Sequence, residues 1–216
     1  MVLAWVQLAE LRVDWGPVSS WAAAVVTFLA VLVALFGWRM WDWLRRPQLR
    51  IIFEHAEPFC RKTELTNGRD GYWVRVRVEN TGVEPARACI GKLTRIYTDG
   101  QFRQDMDPMQ LRWCGVPDKR GFEPIHLARK QREFLDVFRI VDGQPYLNVE
   151  TFPPCDYAPG FPTSLEANVE HCVEITVVAD NADPTAVMLT VTYDGDFSRL
   201  PGSLKVSATA RAARRP

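Results

Sequence analysis

Gly71-Tyr72-Trp73-Val74-Arg75-Val76-Arg77-Val78-Glu79 alternates without a break. Successive side chains on a strand point to opposite faces. Tyr72, Val74, Val76 and Val78 therefore share one face, and Trp73, Arg75, Arg77 and Glu79 share the other. This is the pattern of a half-buried strand. It stops at Asn80-Thr81-Gly82, a turn signal. Working outward, residues 48–55 read as a strand through Leu49, Ile51 and Phe53, and residues 86–98 as another, closed by Asp99-Gly100. Residues 133–141 form a further strand, closed by Asp142-Gly143, with 146–152 as its candidate partner. Residues 172–179 and 186–193 make a hairpin across a turn that holds Asp180, Asn181 and Asp183. About seven strands with turn signals between them, and no amphipathic helix, predict a mainly β domain over residues 48–206, an antiparallel sandwich.

The run Val74-Arg75-Val76-Arg77-Val78-Glu79-Asn80-Thr81-Gly82-Val83-Glu84-Pro85-Ala86 resembles the immunoglobulin-like bacterial modules of the CARDB kind. In these an alternating strand meets Asn-x-Gly and a small residue opens the next strand. Asn and Gly tolerate the turn, and Ala86 lets the next strand fold back onto the core. The resemblance implies an immunoglobulin-like sandwich and, by analogy of fold alone, an adhesive or partner-binding role.

N-terminal to this domain, residues 16–38 contain no charged side chain. As a helix they extend roughly 34 Å, against a hydrocarbon core of about 30 Å. Trp21, Phe28, Leu32, Leu35 and Trp38 lie within the run, and Arg39, Trp41, Trp43, Arg45 and Arg46 follow it. Tryptophan at both ends suits the headgroup level. Ser19, Ser20 and Thr27 can bond the carbonyl one turn back. A signal peptide would open with positive charge and end in small residues, whereas the leader 1–15 carries Glu10, Arg12 and Asp14. We therefore expect a single transmembrane helix over 16–38, a basic and aromatic juxtamembrane linker over 39–47, and a basic tail over 207–216. Arginines stay on the cytoplasmic side, which places the N-terminus outside and the β domain inside. Five cysteines, an odd number without framework spacing, fit a reducing compartment. The layout is similar to that of bacterial single-span proteins with a β-rich domain, and the expected location is the inner membrane.

Chemistry is sparse. The chain has 26 basic and 26 acidic residues, so no net charge draws it to nucleic acid. The histidines His55, His126 and His171 lack zinc spacing, and no Gly-x-Ser-x-Gly elbow or phosphate loop occurs. Cys114 with His126 is a dyad that chance alone would supply. Asp180, Asn181 and Asp183, like Asp194 and Asp196, serve turns rather than calcium. We expect no enzyme activity, cofactor, metal or small-molecule substrate. Two irregular segments stand out, 103–124 with Met109 and Trp113, and 152–162 with Phe152, Tyr157 and Phe161. Long loops with aromatics and prolines are frequent binding elements, so these five residues are the candidate partner contacts. The alternative is that they fold back and seal the ends of the sandwich. The expected function is to hold a protein partner, or a second copy, at the membrane. The runner-up is an exported immunoglobulin-like envelope-binding module of opposite topology, and the third reading is a membrane-bound hydrolase with an unrecognised site.

Overall fold

The computed structural model describes residues 18–65, 67–102, 108–116, 118–152 and 164–211. The leader 1–15, the first two residues of the expected span, Tyr157, Phe161 and residues 212–216 lie outside the described residues, as does the side chain of Phe152. The chain divides into two compact units, one up to Leu44 and one from Arg45 onward.

The first unit is a helix, α1 (Val18–Arg45). It is long and apolar enough to cross a membrane, and none of its apolar span is buried. Thr27 Oγ1 donates to Ala23 O at 2.8 Å, so its hydroxyl is satisfied one turn back. The helix does not end at Trp38. It continues through most of the stretch expected to be a linker, because nothing between Arg39 and Arg45 breaks it. Arg46 precedes Pro47, and the ring of a proline disfavours helical geometry in the residue before it.

The second unit is built of antiparallel strands, with short 3-10 helices at Asp118–Phe122 and Phe197–Arg199. Its elements are β1 (Leu49–Ile52), β2 (Cys60–Glu64), β3 (Asp70–Asn80), β4 (Ala86–Thr98), β5 (Gln101–Phe102), β6 (Met109–Trp113), β7 (Ile125–Leu127), β8 (Arg132–Val141), β9 (Tyr146–Val149), β10 (Thr151–Phe152), β11 (Ser164–Glu166), β12 (His171–Ala179), β13 (Ala182–Tyr193) and β14 (Leu204–Arg211). Their order is β1-β3-β8-β6-β4-β12-β13-β14, with the short strands on the flanks. The expected sandwich of about seven strands is thus corrected to fourteen among the described residues, joined in one sheet. The bridge is β6. Its Met109 and Gln110 pair with Leu93 and Lys92 of β4, and its Arg112 and Trp113 pair with Asp136 and Leu135 of β8. The sheet curls until Thr185 of β13 donates its hydroxyl to Leu49 O of β1 at 2.9 Å, so the unit is nearly a barrel.

One core fills it, from Val74, Val76 and Val78 to Ile96, Leu111, Trp113, Leu135, Phe138, Val173, Ile175 and Leu189. Gly91 of β4 is where the layers press closest. A Cβ there would lie 2.4 Å from Leu135 Cδ1. The Asn80-Thr81-Gly82 stop is more than a turn. Asn80 is fully buried. Its Oδ1 accepts from Gln48 N at 3.2 Å and Gly82 N at 3.0 Å, and its Nδ2 donates to Glu84 O at 2.7 Å and Leu127 O at 3.0 Å. One amide therefore ties the start of β1, the turn and β7 together. A Cβ on Gly82 would come within 2.5 Å of Arg46 O, so the close approach requires glycine. The basic tail expected over 207–216 is shortened at its start. Residues 207–211 belong to β14, which pairs along β13 as far as Arg211 opposite Ala186.

Candidate functional site

On the outer side of β3, β8 and β6 the polar residues fall into rows. Arg75, Asp136 and Arg112 form the central row. On one side of it Arg77 stands opposite Phe134, and on the other Trp73 stands opposite Arg139. A regular strand would send Asp136 and Arg139, three residues apart, to opposite faces. The register slips between Val74, opposite Phe138, and Arg75, opposite Asp136, so Val137 has no partner in β3. This bulge turns both Asp136 and Arg139 outward while Leu135 and Phe138 stay in the core.

Arg75 Nε donates to Asp136 Oδ1 at 2.7 Å, with side chains only 13% and 4% exposed. Burial pushes the Asp136 carboxyl above the usual carboxylate range, and the Arg75 and Arg112 charges pull it back. Glu150 is raised in the same way, mainly by burial, and lies 3.0 Å from Arg139 Nε. Burial also raises the Cys114 thiol, which bonds to Asp136. The Arg75 and Arg139 guanidinium groups lie over the Trp73 ring at 5.5 and 5.4 Å, and Trp73 Nε1 donates to Thr63 Oγ1 at 2.8 Å. Arg77 lies 5.3 Å over the Phe59 ring, which Phe53 and Phe134 contact edge-on at 6.0 and 5.5 Å. The face is thus an array of guanidinium groups steadied by aromatic rings. Guanidinium does not give up its proton, so these four groups are suited to pairing with anions rather than to acid–base work.

A second feature is a cleft of about 320 Å³ between β2 and the connection from β13 to β14. His55, Glu57, Cys60, Lys62, Tyr72, Phe197 and Pro201 help to line it. Burial pushes the Cys60 thiol up to about 11 and the Tyr72 hydroxyl, its hydrogen-bond partner, up to about 12. Both are protonated at neutral pH. Lys62 is held by Asp70 at 2.7 Å and lies 5.5 Å over the Phe197 ring.

The sequence-derived contacts fare unevenly. Met109 and Trp113 are not on a loop. They lie on β6, 6% and 1% exposed, and the alternation Met109, Leu111, Trp113 points all three into the core. Trp21, Phe28, Leu35, Trp38, Trp41 and Trp43 are exposed along α1, and Leu32 is half-buried. Arg39 and Arg45 lie on the same helix and Arg46 just beyond it. Cys114 and His126 have separate partners. His126 Nδ1 accepts from Ala88 N at 3.2 Å, where Ala88 takes a φ of 50° at a slip between β4 and β7. His171 is buried between Thr98 Oγ1 at 3.1 Å and Glu166 O at 3.0 Å. Asn181 accepts from Arg87 N and donates to Pro85 O, which is backbone work. Among the described residues no group of three or more His, Cys, Asp or Glu is placed to hold a metal. Sequence reasoning missed the Arg75, Asp136, Arg112 row. Arg-x-Arg on β3 was visible, but the pairing with residues 61 positions away was not. No family model, curated protein or solved structure matches the chain.

Proposed function

We propose that this is a single-span membrane protein whose β unit is a non-catalytic module that holds a protein partner, or a second copy, at the membrane surface. The observation that carries the reading is α1, an apolar helix of spanning length with its flank of tryptophan and arginine, joined to a β unit. The arginines at 39, 45 and 46 favour the cytoplasmic side of the inner membrane for that unit. The resemblance of residues 74–86 to CARDB-type modules agrees with a binding role. Phe152, Tyr157 and Phe161 remain the proposed partner contacts, whereas the burial of Met109 and Trp113 removes those two.

Two measurements test this. After lysis and a high-speed spin without detergent, the full-length chain sediments with membranes; recovery in the supernatant defeats the anchor. Asp142→Cys in the exposed turn after β8 supplies a surface thiol. An impermeant reagent labels it only after lysis if the unit is cytoplasmic. Labelling in intact cells supports the exported envelope module of opposite topology instead.

A further inference from the structure

We propose that the outer face of β3, β8 and β6 is an oxyanion-binding site, centred on Arg77 and Arg112, for a carboxylate or phosphate group. The inference stands apart from the anchoring role and holds on either side of a membrane.

The first argument is charge. Four guanidinium groups, Arg75, Arg77, Arg112 and Arg139, face two carboxylates. Asp136 is taken by Arg75 and Glu150 by Arg139. Glu79 at the rim is taken by Arg132 at 3.5 Å. Arg77 and Arg112 make no ion pair with any described residue within 4 Å. Arg112 shares the field of Asp136 with Arg75, so four guanidinium charges against two carboxylates leave this face with an excess of positive charge, and it gains from an anion.

The second argument is hydrogen bonding. The Nε atoms of Arg77 and Arg112, like that of Arg139, are buried and make no hydrogen bond to any described residue; Arg139 Nε at least faces Glu150 at 3.0 Å, whereas no described carboxylate lies within 4 Å of the other two. Buried donors are nearly always satisfied, and an orphan calls for an explanation. Arg112 spends one Nη2 proton on Val116 O at 3.2 Å, which fixes the fork without using Nε. Arg77 is fixed differently, by its place over Phe59, itself only 1% exposed. A guanidinium held in position loses less entropy per hydrogen bond it forms, and its planar fork matches the two oxygens of a carboxylate or phosphate.

The third argument is placement. Arg77 and Arg112 lie two strands and one row apart. At about 4.8 Å between strands and about 6.6 Å between rows, their Cα atoms are roughly 12 Å apart, with Phe134 and Asp136 of β8 on the strand between them. Asp136 lies in the row of Arg112 and next to that of Arg77, where it repels an oxyanion. Arg75 neutralises it, which is a reason for so short an ion pair at that point.

The test uses the full chain in detergent, labelled so that the arginine Nε–Hε resonances are observed by NMR. Sodium phosphate and sodium succinate are titrated separately at constant ionic strength against sodium chloride. The expected result is a saturable shift of the Arg77 and Arg112 Nε–Hε signals with one or both anions, and none with chloride. Saturation by phosphate alone assigns a phosphate ligand; saturation by succinate assigns a carboxylate. Arg77→Gln and Arg112→Gln should each weaken binding at least tenfold, and Arg61→Gln, on the exposed side of β2, should not. Arg77→Lys guards against misfolding, since it keeps the charge and removes the fork. It should weaken binding while leaving the backbone spectrum in place. Shifts that never saturate, that chloride reproduces, or that persist unchanged in Arg77→Gln and Arg77→Lys overturn the proposal.

Discussion

The two faces of β3 obey the same alternation and end in different physics. Inward, Val74, Val76 and Val78 are fully buried in apolar contact. Outward, Trp73, Arg75 and Arg77 are also largely covered, yet they are held by ion pairs and rings. An inward valine is stabilised by removal from water, at about 25 cal/mol per Å² of apolar surface. An outward arginine at the same depth loses hydration and is stabilised only if a carboxylate or ring replaces the water. Period two reveals which residues share a face. It does not reveal that the second face is also partly dry.

The comparison breaks most visibly at the edge where both faces depend on one residue. Asn80 closes β3 with four side-chain hydrogen bonds to three segments. Asn80→Ala leaves Gln48 N, Gly82 N, Glu84 O and Leu127 O short of a partner. We expect a loss of about 3–5 kcal/mol, since each buried unsatisfied group costs about 1–3 kcal/mol and water recovers part. Asn80→Asp should be equally damaging, because it keeps the acceptor, loses both donors and buries a charge. Chemical denaturation of the full chain in detergent measures both. A loss below 1 kcal/mol for either would mean that the turn is held by its backbone alone.

The central row gives the next effect. Asp136→Ala strands Arg75 and Arg112 without a counter-charge at low exposure. Removing one partner of a buried pair costs about 3 kcal/mol or more, whereas replacing both by apolar residues is often neutral. Arg75→Met with Asp136→Leu should therefore recover most of the loss. If the double variant is as unstable as Asp136→Ala, the outward face needs its charges for more than each other.

Much of this architecture was legible from local pattern. β4 follows the strand read at 86–98, and β3, β8, β12 and β13 lie within a few residues of theirs, because each is long, alternates and ends at a turn. β6 was not legible. Met109-Gln110-Leu111-Arg112-Trp113 alternates well, but it is five residues between a proline and Cys114-Gly115, and aromatics in such a setting look like loop anchors. β14 was not read as a strand, and the domain boundary drawn at residue 206 falls inside it, because the alanines that follow Leu204 and Val206 carry too little apolar surface to mark one. The arginine face was hidden for another reason. Arg75 meets Asp136 only through the β3–β8 register, and Asp136 points outward only because of the bulge at Val137. Sequence spacing carries neither fact.

Alkaline pH sharpens the comparison at the floor of the cleft. Cys60 and Tyr72 have native values raised to about 11 and about 12, from ordinary values of 9.0 and 10.0. The native state thus holds its protons in a range where the unfolded chain has released them. Their contribution to stability is complete below about pH 9 and is lost as pH rises through 11 to 12. Stability measured from pH 8 to 12 should fall, and Cys60→Ala with Tyr72→Phe should flatten that fall. A thiol reagent at pH 8 should leave Cys60 unmodified in the folded chain. Rapid modification would place Cys60 in an open, polar setting and remove the basis for the pH prediction.

The smallest effect belongs to the rim of the same outward face. Glu79 and Arg132 form an ion pair at 3.5 Å, and the arginine side chain is 58% exposed. Glu79 is only 14% exposed, but its arginine partner stands in solvent, keeps most of its hydration and is screened by salt, so the pair contributes about 0–1 kcal/mol. Arg132→Ala should shift stability by less than 1 kcal/mol at low salt and by nearly nothing in concentrated salt. The loss from Asp136→Ala should persist in that salt, because ions do not reach a pair only 13% and 4% exposed. If salt erased both losses alike, the central row would be as wet as the rim, and the outward face would be an ordinary solvated surface. The two variants therefore need the same salt series, since the contrast between them measures how dry the centre of the face is.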